Sequence, residues 1–323
     1  MVDGPSGSRR VAAGAEAGAR TGARAGAAAG GRPVNLARPV PLGPRSIAML
    51  TLTSLVGLAA FGWPLLAAPS STLVGHAADA PWLFALLLPL LLAVLVAQLS
   101  EHGLDPKTVA LLGVLAAAGA ALRPLGAGTA GLEPMFFLMV LAGRVLGPGT
   151  GFVLGGVTML ASALLTGGVG PWLPFQMLSM GWVCLGAGLL PGPATLRGRR
   201  ELLLLAGYGA GAAILYGTVM NLQGWPYIGG LGSSIAFVPG APLTANLPRF
   251  AVYCLTTSMG WDLPRAALTA TLCLTVGTPV LRALRRATRR AAFDAPVRFA
   301  PPPPSSAVPG IPQGDDEDLT PAP

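Results

Sequence analysis

The chain has 323 residues, 52% of them hydrophobic and 11% charged, with a mean hydropathy of +0.63 and a net charge of +8. Soluble domains carry about 25% charged residues, so this chain has too little polar material to cover a water-facing surface. The expected class is all-α, a polytopic bundle of about eight transmembrane helices, and a nucleic-acid role is set aside because no basic patch alternates with aromatics.

Residues 1–45 form an Ala/Gly/Arg arm with too little apolar surface to pack, expected to be disordered. Spans need about 20 apolar residues, fewer inside a bundle. Eight candidates follow: Ser46–Leu66, Trp82–Leu99, Lys107–Leu122, Pro134–Leu146, Thr150–Leu165, Pro174–Leu190, Leu202–Leu222 and Leu263–Leu284. Glycines recur every fourth residue at Gly143, Gly147, Gly151 and Gly155, which lets helices approach closely. The fourth and fifth spans are short and separated by a Gly-Pro-Gly turn at Pro148, which lacks the donor a continuing helix needs. Asn246 to Gly260 reads either as an outer helix or as the start of a long eighth helix broken near Pro264. Residues 291–323 form a Pro-rich tail ending in the acidic run Asp315, Asp316, Glu317 and Asp318, read as solvated.

Basic residues set the orientation. With the amino terminus inside, all of the 21 Lys and Arg except Arg123, Arg249 and Arg265 fall on the inner side. This asymmetry predicts a multi-pass protein of the cell membrane with both termini cytoplasmic. Cys184, Cys254 and Cys273 lie in or beside apolar segments without CxxC spacing, and His76 and His102 fall on opposite sides, so no metal site or disulfide framework is expected.

The outer helix ends and loops gather Arg123, Glu133, Trp172, Gln176, Asn221, Gln223, Trp225, Tyr227, Asn246, Arg249, Trp261, Asp262 and Arg265. Aromatics and amides at one mouth suit a mid-sized organic ligand, whereas an ordinary aromatic belt accounts for any single Trp. Gln176 lies just inside its span between Phe175 and Met177, where an unpaired amide is costly, so it should face a cavity or a partner helix. Asp262 and Arg265, three residues apart, read as an interfacial ion pair, and Arg123 and Glu133 bracket one loop as a second potential pair. On the third span Gly113, Ala117 and Ala121 make one small-residue stripe and Ala116 and Ala120 another, suited to close contact inside or outside the bundle. No phosphate-binding loop, His cluster or midplane acid set marks an enzyme or an ion-coupled transporter.

The stretches Glu133-Pro134, Ala142 to Pro148, Gly151-Phe152, Gly167 to Gln176, Leu215 to Gly217, Asn221-Leu222, Thr256 to Asp262 and Leu284 to Ala287 resemble, in this order, substrate-binding components of energy-coupling factor transporters of the actinobacterial type. The resemblance covers roughly residues 107–293. It implies a six-helix core over 107–290, preceded by two additional helices in 46–106. It also implies a non-enzymatic subunit that captures a vitamin-like micronutrient, a cobalamin-like corrinoid being favoured, at its outer face. Delivery would require a transmembrane coupling subunit and two cytosolic ABC ATPases, with no cofactor of its own. The family's binding loops map here onto Arg123–Glu133, Gly167–Trp172 and Gln223–Asn246. With the polar groups of the outer mouth noted above, substrate contacts are expected at Arg123, Glu133, Trp172, Gln176, Asn221, Trp225, Tyr227 and Asn246. The coupling-subunit contact would fall on Ala116/Ala120 or Ala117/Ala121. A metal-ion substrate is disfavoured because Val2 stands near the terminus where nickel/cobalt members carry histidine. Two readings compete: a membrane enzyme acting on a lipid or isoprenoid, and a ligand-free assembly protein.

Overall fold

Ala, Leu, Val and Met fill the apolar runs while Gly and Pro punctuate them, so the sequence favours helices joined by short turns. A computed structural model describes residues 43–66, 89, 91, 93–94, 106–126, 129–192 and 195–291, and these contain helices and turns but no strand. We name the helices α1 (Pro44–Leu66), α2 (Pro106–Leu122), α3 (Met135–Leu146), α4 (Pro148–Thr166), α5 (Leu173–Leu189), α6 (Arg199–Gly224), α7 (Leu243–Tyr253), α8 (Met259–Thr275) and α9 (Gly277–Ala291). The expected span Trp82–Leu99 lies outside the described residues apart from four helical positions, and the amino-terminal arm and acidic tail lie outside them too.

Among the described residues, four helical segments are long and apolar enough to cross a membrane: Pro44–Leu66, Pro106–Gly126, Pro148–Thr166 and Arg199–Tyr227. A fifth is reached if the bent pair Leu243–Thr275 and Gly277–Arg289 counts as one span. Only 33% of the most apolar stretch of α1, and 28% of that of α2, is buried within the protein. Leu52, Leu55 and Leu58 of α1 and Val114 of α2 instead face outward. Apolar faces of this extent fit a helical membrane bundle.

At the centre stands α3, twelve residues long, with ten of them buried. A helix apolar on all sides must be surrounded, and α4, α5, α6, α8 and α9 all pack on it. The expected glycine repeat does what its spacing suggested. A Cβ on Gly143 would land on the Cys184 carbonyl, and one on Gly155 would come within 2.5 Å of the Met180 carbonyl oxygen. The α3–α4 turn passes through Gly147 at φ 87°, with Pro148 opening α4 where its missing N–H costs nothing.

Two expectations about the last span are corrected. Helix runs from Leu243 through Pro264 to Thr275, because the irregularity is taken up upstream by a π turn at Cys254–Ser258. The break falls instead at Val276, after which α9 turns away by 73°. Pro279 explains the position: four residues after Thr275, it can neither bond that carbonyl nor clear it sterically. Leu263–Leu284 is therefore not one straight span.

The helix α1 is integral to the bundle, packing on α5, α6 and α7. Trp182 donates to Ser54 Oγ at 3.0 Å, and Phe61 meets Phe175 edge-on at 4.8 Å. The two stripes of α2 part company. Ala116 and Ala120 are buried inside the bundle, whereas Gly113, Ala117 and Ala121 are exposed. A contact with another protein along α2 is thus open to Ala117 and Ala121 but not to Ala116 and Ala120.

Gly155→Leu is expected to destabilise the fold by about 1–3 kcal/mol or more, the usual cost of overpacking, seen as a lowered thermal midpoint in detergent. Gly113→Leu, whose side chain would enter open space, should leave that midpoint unchanged.

Candidate functional site

At the end of the bundle away from most arginines, the end of α2 and the starts of α3, α5 and α8 bring five polar side chains inward. Arg123, just past α2, donates to Gln176 Oε1 at 3.2 Å and to Ser162 Oγ at 3.4 Å. Glu133, ahead of α3, accepts from Arg265 at 3.3 Å. The other arm of Arg265 donates to Asp262 Oδ1 at 2.7 Å. The Arg265 guanidinium also lies 5.1 Å from the Phe136 ring centre and 5.7 Å from that of Tyr216. Tyr216 of α6 also meets the Phe136 ring edge-on at 5.0 Å, so the guanidinium is held against both rings.

The pairing of Asp262 and Arg265 is found, but not at an interface. Asp262 is 2% exposed and Arg265 8%, so the charges sit within the bundle. Burial of this kind requires matched charge, and here two guanidiniums offset two carboxylates. The expected interfacial placement of Asp262 and Arg265 is corrected at this point. Arg123 and Glu133 do not pair with each other; each takes another partner. Gly217 of α6 permits the close fit, since a Cβ there would collide with the Asp262 carboxylate. Asp262 Oδ2 and Arg265 Nε remain buried without a hydrogen-bond partner among the described residues.

One turn further out, the π turn aims Ser258 and Cys254 at α6, where Asn221 donates to Ser258 Oγ at 2.6 Å and to Cys254 Sγ at 3.5 Å. Thr256 and Thr257 donate to the Val252 and Tyr253 carbonyls that the widened turn leaves available. Such bulges recur at functional sites.

The loop after α6 packs as a lid. Trp225, fully buried, contacts Phe237, Phe250 and Tyr253, and its indole N–H donates to the Ile235 carbonyl at 2.7 Å. Asn246 braces the loop by donating to the Val238 carbonyl at 2.9 Å while accepting from the Val238 N–H. Trp63 of α1 packs on Phe237 and Tyr227. Arg249 donates to the Ser233 carbonyl. The structure therefore sorts the expected site residues. Arg123, Glu133 and Gln176 join the interior network, and Asn221 joins the π turn. Trp225, Tyr227 and Asn246 build the lid itself. Trp172 is 44% exposed on a separate loop, bonded to the Gly168 carbonyl, and is not brought into the network.

Sequence reasoning did not place Tyr216 or Ser162 among the site residues, although Tyr216 lies in the Leu215–Gly217 stretch; Ser162 carries no motif. It also missed a second buried cluster at the opposite end. Arg144, closing α3, donates to Glu201 Oε1 at 3.0 Å and to the Leu190 and Pro191 carbonyls at 2.8 and 2.6 Å. Arg285 of α9 bonds the same Glu201 oxygen at 2.6 Å. The available signal was Glu201 itself, a lone acid beside Arg199 and Arg200.

A lateral groove of about 440 Å³ opens between α1, α5 and α6, lined by Leu58, Trp182, Gly207, Gly211, Leu215 and Tyr216 among others. No group of His, Cys, Asp and Glu suited to a metal ion occurs among the described residues. No family model, curated protein or solved structure matches the chain.

Removing one partner of a buried ion pair costs about 3–5 kcal/mol. Glu201→Ala is expected to approach that loss in a denaturation series, because Arg144 is left buried and uncompensated. Arg285→Ala should cost clearly less, since the Arg285 side chain is 30% exposed.

Proposed function

We propose that the chain is a multi-pass membrane protein that captures a small organic solute, acting as the substrate-binding component of an energy-coupling factor importer. The observation that carries the reading is the polar network of Arg123, Gln176, Glu133, Asp262 and Arg265, held by the ends of helices in an otherwise apolar bundle. Ionisable groups inside a membrane bundle are costly and usually serve function. The ordered Gly/Pro/Trp-rich stretches supply the resemblance to that class of transporter subunit.

In this reading the network end faces outward and the arginine-rich end faces the cytoplasm, where both termini lie. Among the described residues Arg123 holds no carboxylate within ion-pair distance, which leaves its guanidinium the group best placed to meet a polar solute, with Gln176 orienting it. Both carboxylates are engaged by Arg265, an arrangement that suits binding and not turnover. Release inward would depend on a coupling subunit and ATPases supplied by other chains. The exposed Gly113/Ala117/Ala121 stripe of α2 is the surface suited to the coupling subunit.

The test is native mass spectrometry of detergent-purified protein offered a panel of vitamins including cobalamin and riboflavin. One solute is expected to bind without turnover. Arg123→Met should weaken it on the order of a hundredfold, the scale of a lost charge-assisted contact, in protein whose helical circular dichroism matches that of the parent. A protein that ignores the whole panel, or an Arg123→Met variant that binds as tightly as the parent, overturns the reading.

A further inference from the structure

Among the described helices α9 is the one strongly two-sided helix, and the network does not involve it. Leu281 and Leu284 are buried in the main core, with Val280 partly buried against it. Arg282, Arg286 and Arg289, at i, i+4 and i+7, form one exposed stripe. Because α9 leaves α8 at 73° and packs on α2 and α3, it lies across the end of the bundle. The start of α6 lies beside it: Glu201 bonds Arg285, and a Cβ on Gly277 would meet Leu202. Exposed Arg199 and Arg200 therefore belong to the same surface. The described residues contain three acids. Glu133 and Asp262 are engaged at the far end, and Glu201, 2% exposed, is engaged by Arg144 and Arg285. Arg199, Arg200, Arg282, Arg286 and Arg289 consequently have no carboxylate partner among the described residues.

A helix with an apolar underside and an arginine upper face, laid across the end of an apolar bundle, has the form of an interfacial helix. Long arginine stems can lie along the apolar boundary while their planar forks reach outward, and those forks match phosphodiester oxygens two at a time. We propose that Arg282, Arg286 and Arg289 of α9, with Arg199 and Arg200 of α6, form a docking surface for anionic phospholipid headgroups that seats this end of the protein at one membrane surface. The inference rests on the membrane reading above but not on the solute or the transporter class. Charge complementarity favours the lipid: the membrane supplies a continuous anionic layer at the level where α9 lies.

The full chain is purified in detergent with equimolar phosphatidylglycerol and phosphatidylcholine of matched acyl chains, and retained lipid is counted by native mass spectrometry. The parent is expected to retain phosphatidylglycerol over phosphatidylcholine on the order of tenfold. The variant Arg282→Gln, Arg286→Gln, Arg289→Gln should lose that preference while keeping its helical circular dichroism. Equal retention of the two lipids by the parent, or an unaltered preference in the triple variant, overturns the proposal. A preference that emerges only after Asp315→Asn, Asp316→Asn, Glu317→Gln and Asp318→Asn overturns it as well, since the chain's own acidic tail then occupies the face. A parent that stays dispersed without detergent removes the membrane reading itself. Detergent dependence without lipid preference removes only the headgroup surface.

Discussion

The arrangement hangs on α3, a short helix buried almost throughout and fastened by charge at both ends. Glu133 ties its beginning to α8 through Arg265, and Arg144 ties its end to α6 and α9 through Glu201. Both charges also have the sign that the helix dipole favours at their respective termini. Each tie sits where an unmatched charge is severely penalised, so neighbouring helices have few other registers open to them. Every carboxylate among the described residues takes part in one of these two clusters. In a chain so poor in charge, the few acids present fix the helices relative to one another.

Much of this could be read from the sequence and some could not. Helix positions followed from apolar runs bounded by Gly and Pro, and the Gly143–Gly155 repeat foretold close approach because only the absence of a Cβ permits it. Gln176 was legible as well: an amide flanked by Phe175 and Met177 needs a partner, and Arg123 provides it. The partners of Glu133 and Arg144 were not legible, because pairs 132 and 57 residues apart depend on how helices assemble and leave no local pattern. Nor was the depth of Asp262. Its three-residue spacing from Arg265 is the same at a surface and in a core, and what decides between them is the π turn upstream, which sets the face that α8 presents. Pro264 looked like a break and Pro279 proved to be one, since only the latter sits where its ring opposes the last carbonyl of a helix that has a new direction to take.

The lid and α1 show why nearness in sequence is a poor guide to the site. Trp225 and Asn246 look like ligand groups in an outer loop, yet their polar atoms are satisfied by the loop's own backbone. Trp63, from a helix that the resemblance would treat as an addition, packs into the same layer. The loop after α6 is thus held from two sides, by α7 through Phe250 and by α1 through Trp63.

The brevity of α3 has a geometric result. Eleven residues separate Glu133 from Arg144, a rise of about 17 Å at 1.5 Å per residue. A bilayer's hydrocarbon core is about 30 Å thick. In the proposed setting the apolar stretch of α3 between the two charged layers is little more than half the thickness of the surrounding lipid. A polar solute held at one layer would have correspondingly less distance to traverse before meeting charge again on the other side.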